Sequence, residues 1–287
     1  NYHTERAFIE LSNSCMDESI VNRAVQTKLP PCCLRIFQGK FILVGTYDLD
    51  KPSGKRTGSL DVFDKYLRLI KSYYTYVAIL DQKLSSFDEN LVATAHSTGN
   101  VTLWRIVTTT HDDSIELHQL ANLQVFETDA LITSLHFSPL DPRTLLVTNT
   151  LGHCAIADIV DETITLNCSS VATNYEKMKL DSVEVQGSFQ NVIKIEPAEF
   201  IEGHSLECWT GEFGQLQPLE NVVFTGGDDA KIIAHDLRTK DIIWSNERIH
   251  EAGVVAIKSG SATFRHSRPT SIITGSYDDK IRSLDLR

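Results

Sequence analysis

The chain is poor in the features that mark whole classes of protein. None of its six cysteines (Cys15, Cys32, Cys33, Cys154, Cys168, Cys208) falls in a CxxC, and no short cysteine spacing repeats. Zinc modules and disulfide frameworks are built on such repeats, so the thiols read as small buried hydrophobes in a reducing compartment. No apolar run reaches the roughly 18 residues that span a bilayer, and no secretory signal pattern is present, which points to a cytoplasmic protein without membrane insertion. Positive charge is short: 27 Lys and Arg stand against 38 Asp and Glu, a formal net charge of −11. That balance disfavours direct nucleic-acid contact and favours a cationic ligand or a basic partner. The GxSxG elbow of covalent esterases is missing. So is HExxH, since His250-Glu251 is followed by Ala252-Gly253-Val254. Neither a metal nor a cofactor is expected.

What is present is repetition. VFTGGDDAKIIAHDLR (Val223 to Arg238) and IITGSYDDKIRSLDLR (Ile272 to Arg287) are near-copies 49 residues apart. Each is an apolar strand, a Gly/Asp turn, a second strand and an acidic residue before Leu-Arg. Three earlier pairs share the pattern: FILVGTYDLD with GSLDVF, LVATAHSTGNVTLW, and TLLVTNTLGHCAIADI. Several pairs follow a leading strand that would form an inner edge: AILDQKLS, LITSLHFSPL, LECWTGEF and VVAIKSG. Units this small bury their faces only by stacking, so the fold class is all-β, a WD-repeat-type β-propeller with five clear blades. CLRIF (Cys33 to Phe37) is placed as an outer strand. Between the third and fourth pairs the spacing stretches to 78 residues, read as a long insertion or a degenerate blade at 161–203, with the insertion favoured. Residues 1–27 form a helical or disordered lead and 28–287 the propeller. Five blades are few for such a ring, and seven are expected in the intact protein. Two sequons occur, at Asn100 and Asn167, the first inside a strand hairpin. The basic stretch Leu49 to Gly58 reads as a solvated hairpin tip.

The last third goes beyond generic repeats. GGDD (Gly226 to Asp229), the R-x-H-x-x-G-V segment of Arg248, His250, Gly253 and Val254, and TGSYD followed by Asp285 and Arg287 resemble the WD-repeat diphthine methyl esterases of diphthamide biosynthesis. GTY at Gly45 to Tyr47 and His204, Glu207 and Trp209 resemble the same family, and AHSTGNVTLW and KLPPCCLRIF its yeast members. The chain departs from the family where His235 and Leu284 replace tryptophan and in lacking the C-terminal blades. The resemblance implies a hydrolase whose substrate is translation elongation factor 2. There it would remove the methyl ester from a modified histidine that also bears a trimethylammonium group, before a final amidation. It also implies a monomer without cofactor.

Ester hydrolysis needs an activated nucleophile, an oxyanion stabiliser and a pocket. With covalent motifs missing, water activated by a histidine or carboxylate is the economical choice. His250 is the first candidate base, with Asp228 and Glu207 as further catalytic candidates. A competing role for His250 is to hold the hairpin of Asp278. Tyr277 and Trp209 offer aromatic faces, and Asp228 a charge, for a trimethylammonium group. Asp229 and Asp278 align as turn aspartates and join the substrate-binding candidates, as does His204, expected to be exposed just before its strand. Glu207 and Trp209 are expected to share one strand face. Arg238 and Arg287 are expected to pair with acids of neighbouring blades, and His96 and His235 to face solvent or pack in the sheets. Two other classes stay open: a non-enzymatic scaffold, and a module that binds a modified cationic side chain without reacting.

Overall fold

The computed structural model describes residues 24–75, 77–109, 114–162, 192–195 and 199–287, with backbone alone at 160–162, 192–195 and 199–200. The expected helical lead lies outside these residues, apart from its last four, as do Asn167 and most of the 161–203 stretch.

Five antiparallel sheets follow one another along the chain. The first joins β1 (Pro31–Phe37), β2 (Phe41–Thr46), β5 (Ser59–Asp64) and β6 (Leu69–Tyr74). The small hairpin of β3 (Asp48–Asp50) and β4 (Lys55–Thr57) projects between β2 and β5, with Gly54 at φ +69 closing its tip. Next come β7 (Ile79–Leu84), β8 (Leu91–His96), β9 (Asn100–Thr108) and β10 (Ile115–Gln124), then β11 (Ile132–Phe137), β12 (Thr144–Asn149) and β13 (Cys154–Glu162). After the undescribed 163–191, β14 (Val192–Ile195) and β15 (Glu199–Ile201) both pair back onto β13. The described residues therefore place no separate sheet between the third and the fourth. The fourth holds β16 (Cys208–Phe213), β17 (Val222–Gly227), β18 (Ile232–Asp236) and β19 (Ile242–Asn246). The fifth holds β20 (Val254–Ser259), β21 (Ser271–Ser276) and β22 (Ile281–Asp285).

The second strands are apolar on both faces because each sheet is packed on both sides. In β17, Val223 packs toward the third blade with Leu146 and Phe213, while Val222 and Phe224 pack toward the fifth with Val254 and Ile272. Strand alternation sends neighbouring residues to opposite faces, so one strand supplies two cores. The leading strands β7, β11, β16 and β20 are the inner edges, each packing against the next. CLRIF is corrected: β1 pairs β2 at the edge opposite β6 and packs against β7, so it is the inner strand of the first blade. Arg238 and Arg287 are corrected too. Each folds back onto the aspartate two residues before it, Asp236 and Asp285, and not onto a neighbouring blade.

Candidate functional site

Each inner strand begins with one extra residue that has no partner in β-ladder register: Cys32, Leu80, Thr133, Trp209 and Val255. A bulge in the same place in five blades bends every inner strand at one end of the propeller. There the turn between the second and third strands is tied to the segment entering the blade. Asp228 N donates to Glu207 O (2.7 Å), Tyr277 N to Gly253 O (2.9 Å) and Thr150 N to Leu131 O (2.9 Å).

These ties gather four of the candidate residues on the rim of blades four and five. The indole Nε1 of Trp209 donates to Asp228 Oδ1 at 3.1 Å. Gly253 lies against the same oxygen: a Cβ there would sit 2.6 Å from Asp228 Oδ1 and 3.3 Å from Tyr277 Cδ2. Tyr277 is 65% exposed, while Trp209, Asp228 and Glu207 are half-buried. Glu207 does not share a strand face with Trp209. It precedes β16, and Trp209 is the bulge residue, so simple alternation fails at that point. The rim thus offers a half-buried carboxylate held by an indole, an exposed phenol ring nearby, and a second carboxylate at the entry to the blade. Gly253, quoted above only as part of a motif, is what lets the two blades approach there.

The other candidates are built into the turns. His204 is buried, not exposed as expected. Its Nδ1 is 2.8 Å from Asp229 Oδ1 and its Nε2 3.0 Å from Thr225 Oγ1. Burial lowers its pKa against the pull of Asp229. Burial raises Asp229, but hydrogen bonds from His204, Ser205 N and Lys231 N outweigh it and hold the carboxyl below its ordinary value. With Asp229 ionised, His204 carries its proton on Nδ1.

His250 is likewise buried, at 4% exposure. Its Nδ1 accepts from Arg282 Nη1 (3.0 Å), which forces the proton onto Nε2, 3.2 Å from Thr274 Oγ1. The two histidines are opposite tautomers in equivalent turns. Burial and then the Arg282 guanidinium depress the His250 pKa, with Asp278 opposing. Arg282 takes both oxygens of Asp278, and the amides of Glu251 and Lys280 complete its shell, so this carboxyl is held well below the usual range. A base needs a free lone pair facing substrate. His250 has none, so the geometry withdraws it as a base and gives it the hairpin. His204, Asp229 and Asp278 likewise spend their polar atoms on their own turns.

His96 and His235 are buried as well. His96 contacts Thr94 and Thr102 through Nε2, and its pKa falls to about 4 by burial, while His235 Nε2 meets Glu202 O at 2.8 Å. Asn100, the first sequon, is fully buried and donates to Asn122.

One described group has metal-ligand chemistry: Cys154, His204 and Cys208 bring ligand atoms within 4.8 Å of one another. Both nitrogens of His204 are already engaged, and Cys208 is raised well above its ordinary value by burial and by Cys154, whose Sγ lies at 3.4 Å. Burial that favours the thiol works against thiolate ligation, so the cluster reads as packing.

No family model matches the chain. The chain is 59% identical to the diphthine methyltransferase of Saccharomyces cerevisiae over 276 residues, 95% of this chain and 71% of that protein. The chain belongs to the diphthine methyltransferase family. A Schizosaccharomyces pombe protein of that name is 29% identical over 249 residues, 86% of this chain and 62% of its own length. The chain is thus a member of an enzyme family. Solved structures agree on architecture. The β-propeller domain of Myceliophteria thermophila Cps50 (Swd1) superposes with TM-score 0.56 at 11% identity, over 93% of this chain and 68% of that one. Chaetomium thermophilum Sqt1, solved bound to the N-terminus of ribosomal protein L10, gives TM-score 0.58 at 13% identity, over 86% and 58%. Likeness at such identity fixes the WD-type propeller fold and nothing about the site.

Proposed function

We propose that this chain carries the substrate site of a diphthine methyl ester hydrolase acting on translation elongation factor 2 in the cytoplasm. The relatives' name, diphthine methyltransferase, speaks of methyl transfer; hydrolysis of a methyl ester is our reading. The observation that carries it is the rim group of Trp209, Asp228 and Tyr277, a carboxylate bonded to an indole with an exposed phenol ring across Gly253. A trimethylammonium group cannot donate a conventional hydrogen bond, so it is held by aromatic faces and a negative charge. A modified histidine on a protein loop would enter from the rim, the exposed end of these residues.

With the ammonium there, the neighbouring ester lies beside Glu207, whose carboxylate has no hydrogen bond or ion pair among the described residues. Glu207 takes a proton from water as the water oxygen bonds to the acyl carbon. The tetrahedral intermediate then breaks its bond to the methoxy oxygen, which takes the proton back from Glu207 and leaves as methanol, and the new carboxylic acid loses its own proton to water. Supporting this division of labour, Asp228 is already engaged by the indole and suits binding, while Glu207 is free to exchange a proton.

Tryptophan fluorescence during titration of the full-length protein with betaine methyl ester tests the cation site. Saturable quenching lost in Asp228→Asn and in Tyr277→Ala is expected. Unchanged quenching in both variants would remove the rim as the binding site.

A further inference from the structure

A second set of side chains repeats around the inner strands, and no candidate above includes it. Three residues after each bulge stand Arg35 (β1), Lys83 (β7), His136 (β11), Glu212 (β16) and Lys258 (β20). All five occupy one register: their partners Leu43, Ala93, Leu146, Phe224 and Ile273 are each the third residue of their second strand. They form a belt of ionisable groups about 10 Å along the strands from the rim, at roughly 3.3 Å per residue. Polar residues at one level in five blades are not required by packing, since the same strands bury Leu, Ile and Phe at other levels.

The belt borders a cleft of about 220 Å³ lined by Lys83, His136, Glu212, Lys258, Ser86 and Gln215, among others. Its charges do not cancel. Asp81 is shared by Arg35 (3.5 Å) and Lys83 (2.5 Å), and Glu212 is held by Lys258 (3.0 Å), so three cations face two carboxylates. In a chain of net charge −11 this is a local positive field. Glu212 is also fixed by the amide and hydroxyl of Ser259, both on Oε1 at 3.1 and 3.0 Å. His136 accepts from Gly211 N through Nε2 at 3.3 Å, which leaves Nδ1 with the proton. Burial, Lys83, Lys258 and Arg35 keep the ring neutral against Asp81, so it offers an N–H donor at a cleft that Lys83 and Lys258 also line.

We propose that this cleft binds an oxyanion, a carboxylate or a phosphate group, with the His136 Nδ1–H and the ammonium groups of Lys83 and Lys258 as its donors. Residues of three different blades line this one cleft, and charge-assisted hydrogen bonds from such donors are the strong ones. The site is separate from the rim and does not depend on the reaction assigned to it.

The test is titration of the full-length protein with inorganic phosphate and, separately, acetate, at constant ionic strength, followed by the 15N shifts of histidine side chains. The His136 Nδ1 signal is expected to move saturably with at least one of the two. Phosphate alone marks a phosphoryl ligand, and equal response to acetate marks a carboxylate. Lys83→Met and Lys258→Met, both at partly exposed positions, are expected to weaken binding at least about tenfold each. Glu212→Gln keeps an oxygen for Ser259, removes a negative charge and is expected to tighten it. No saturable shift with either anion would overturn the proposal, and so would equal responses in the wild type and all three variants.

Discussion

A single methyl group at Gly253 separates the rim site from the fold that carries it. The glycine has ordinary backbone geometry, so alanine brings no backbone strain and removes unfolded-state freedom, a gain of about 0.4–1 kcal/mol. Against this, the new Cβ would lie 2.6 Å from Asp228 Oδ1 and 3.1 Å from Asp228 Cα. Ordinary contact begins near 3.4 Å, so the oxygen must retreat by about 0.8 Å, a small overpacking within the usual cost of ~1–3 kcal/mol. The two effects oppose, and Gly253→Ala is expected to shift the urea midpoint little. The site does not escape. Moving Oδ1 away stretches the 3.1 Å bond from Trp209 beyond hydrogen-bond length, and a 1 Å misplacement in a reacting complex costs up to about a hundredfold in rate. Turnover of the modified elongation factor, followed by mass spectrometry alongside urea melts, is expected to fall at least tenfold, an effect of about 1.4 kcal/mol, at near-constant stability. Full activity in a normally folded Gly253→Ala protein would refute the assignment of Asp228 and Trp209 to substrate.

Other consequences follow from the buried turns. His250→Leu removes both ring contacts and is expected to cost about 1–3 kcal/mol in urea melts, while turnover per folded molecule stays near wild type. A loss of turnover in the stable fraction would return His250 to the chemistry. Thr94→Val keeps volume but orphans the Trp104 indole N–H, which donates to Thr94 Oγ1 at 2.9 Å. A midpoint loss corresponding to about 1–3 kcal/mol is expected, and no loss would contradict the pairing. His96 is held neutral when folded, with its pKa near 4 against 6.5 free. Its contribution is therefore complete above pH 6.5 and lost as pH falls toward 4, worth up to about 3 kcal/mol over that window. In His96→Leu, the slope of stability against pH between 6.5 and 4 should fall by about one proton, and an unchanged slope would show that the ring is not buried neutral.

The propeller was readable because its repeats state it twice over. The tandem units carry both the apolar alternation and the Gly/Asp turns, and their leaders carry the inner strands. CLRIF misled because an edge strand looks the same on either edge of a sheet. Only its contact with β7 tells inner from outer. Glu207 and Trp209 were misplaced because a period of two cannot register the extra residue of a bulge, which appears only when pairing is seen. His204 read as a surface group and His250 as a base or a tie to Asp278, since polarity is local. The partners that bury them, Thr225 with Asp229 and Thr274 with Arg282, lie more than 20 residues away. Arg238 and Arg287 close on their own aspartates because a turn two residues long is cheaper than a reach to another blade. The belt was visible in principle: aligned on their bulges, the five leaders place Arg, Lys, His, Glu and Lys in one column.

The most direct measurement is the mass of the diphthine-bearing peptide from methyl-esterified elongation factor 2, before and after incubation with the full-length protein and no methyl donor. The account predicts loss of one methyl-ester increment with release of methanol, and failure of that loss in Glu207→Gln. An unchanged mass with retained binding would contradict the hydrolase and leave a reader or scaffold, and a gain of mass on adding a methyl donor would reverse the proposed direction.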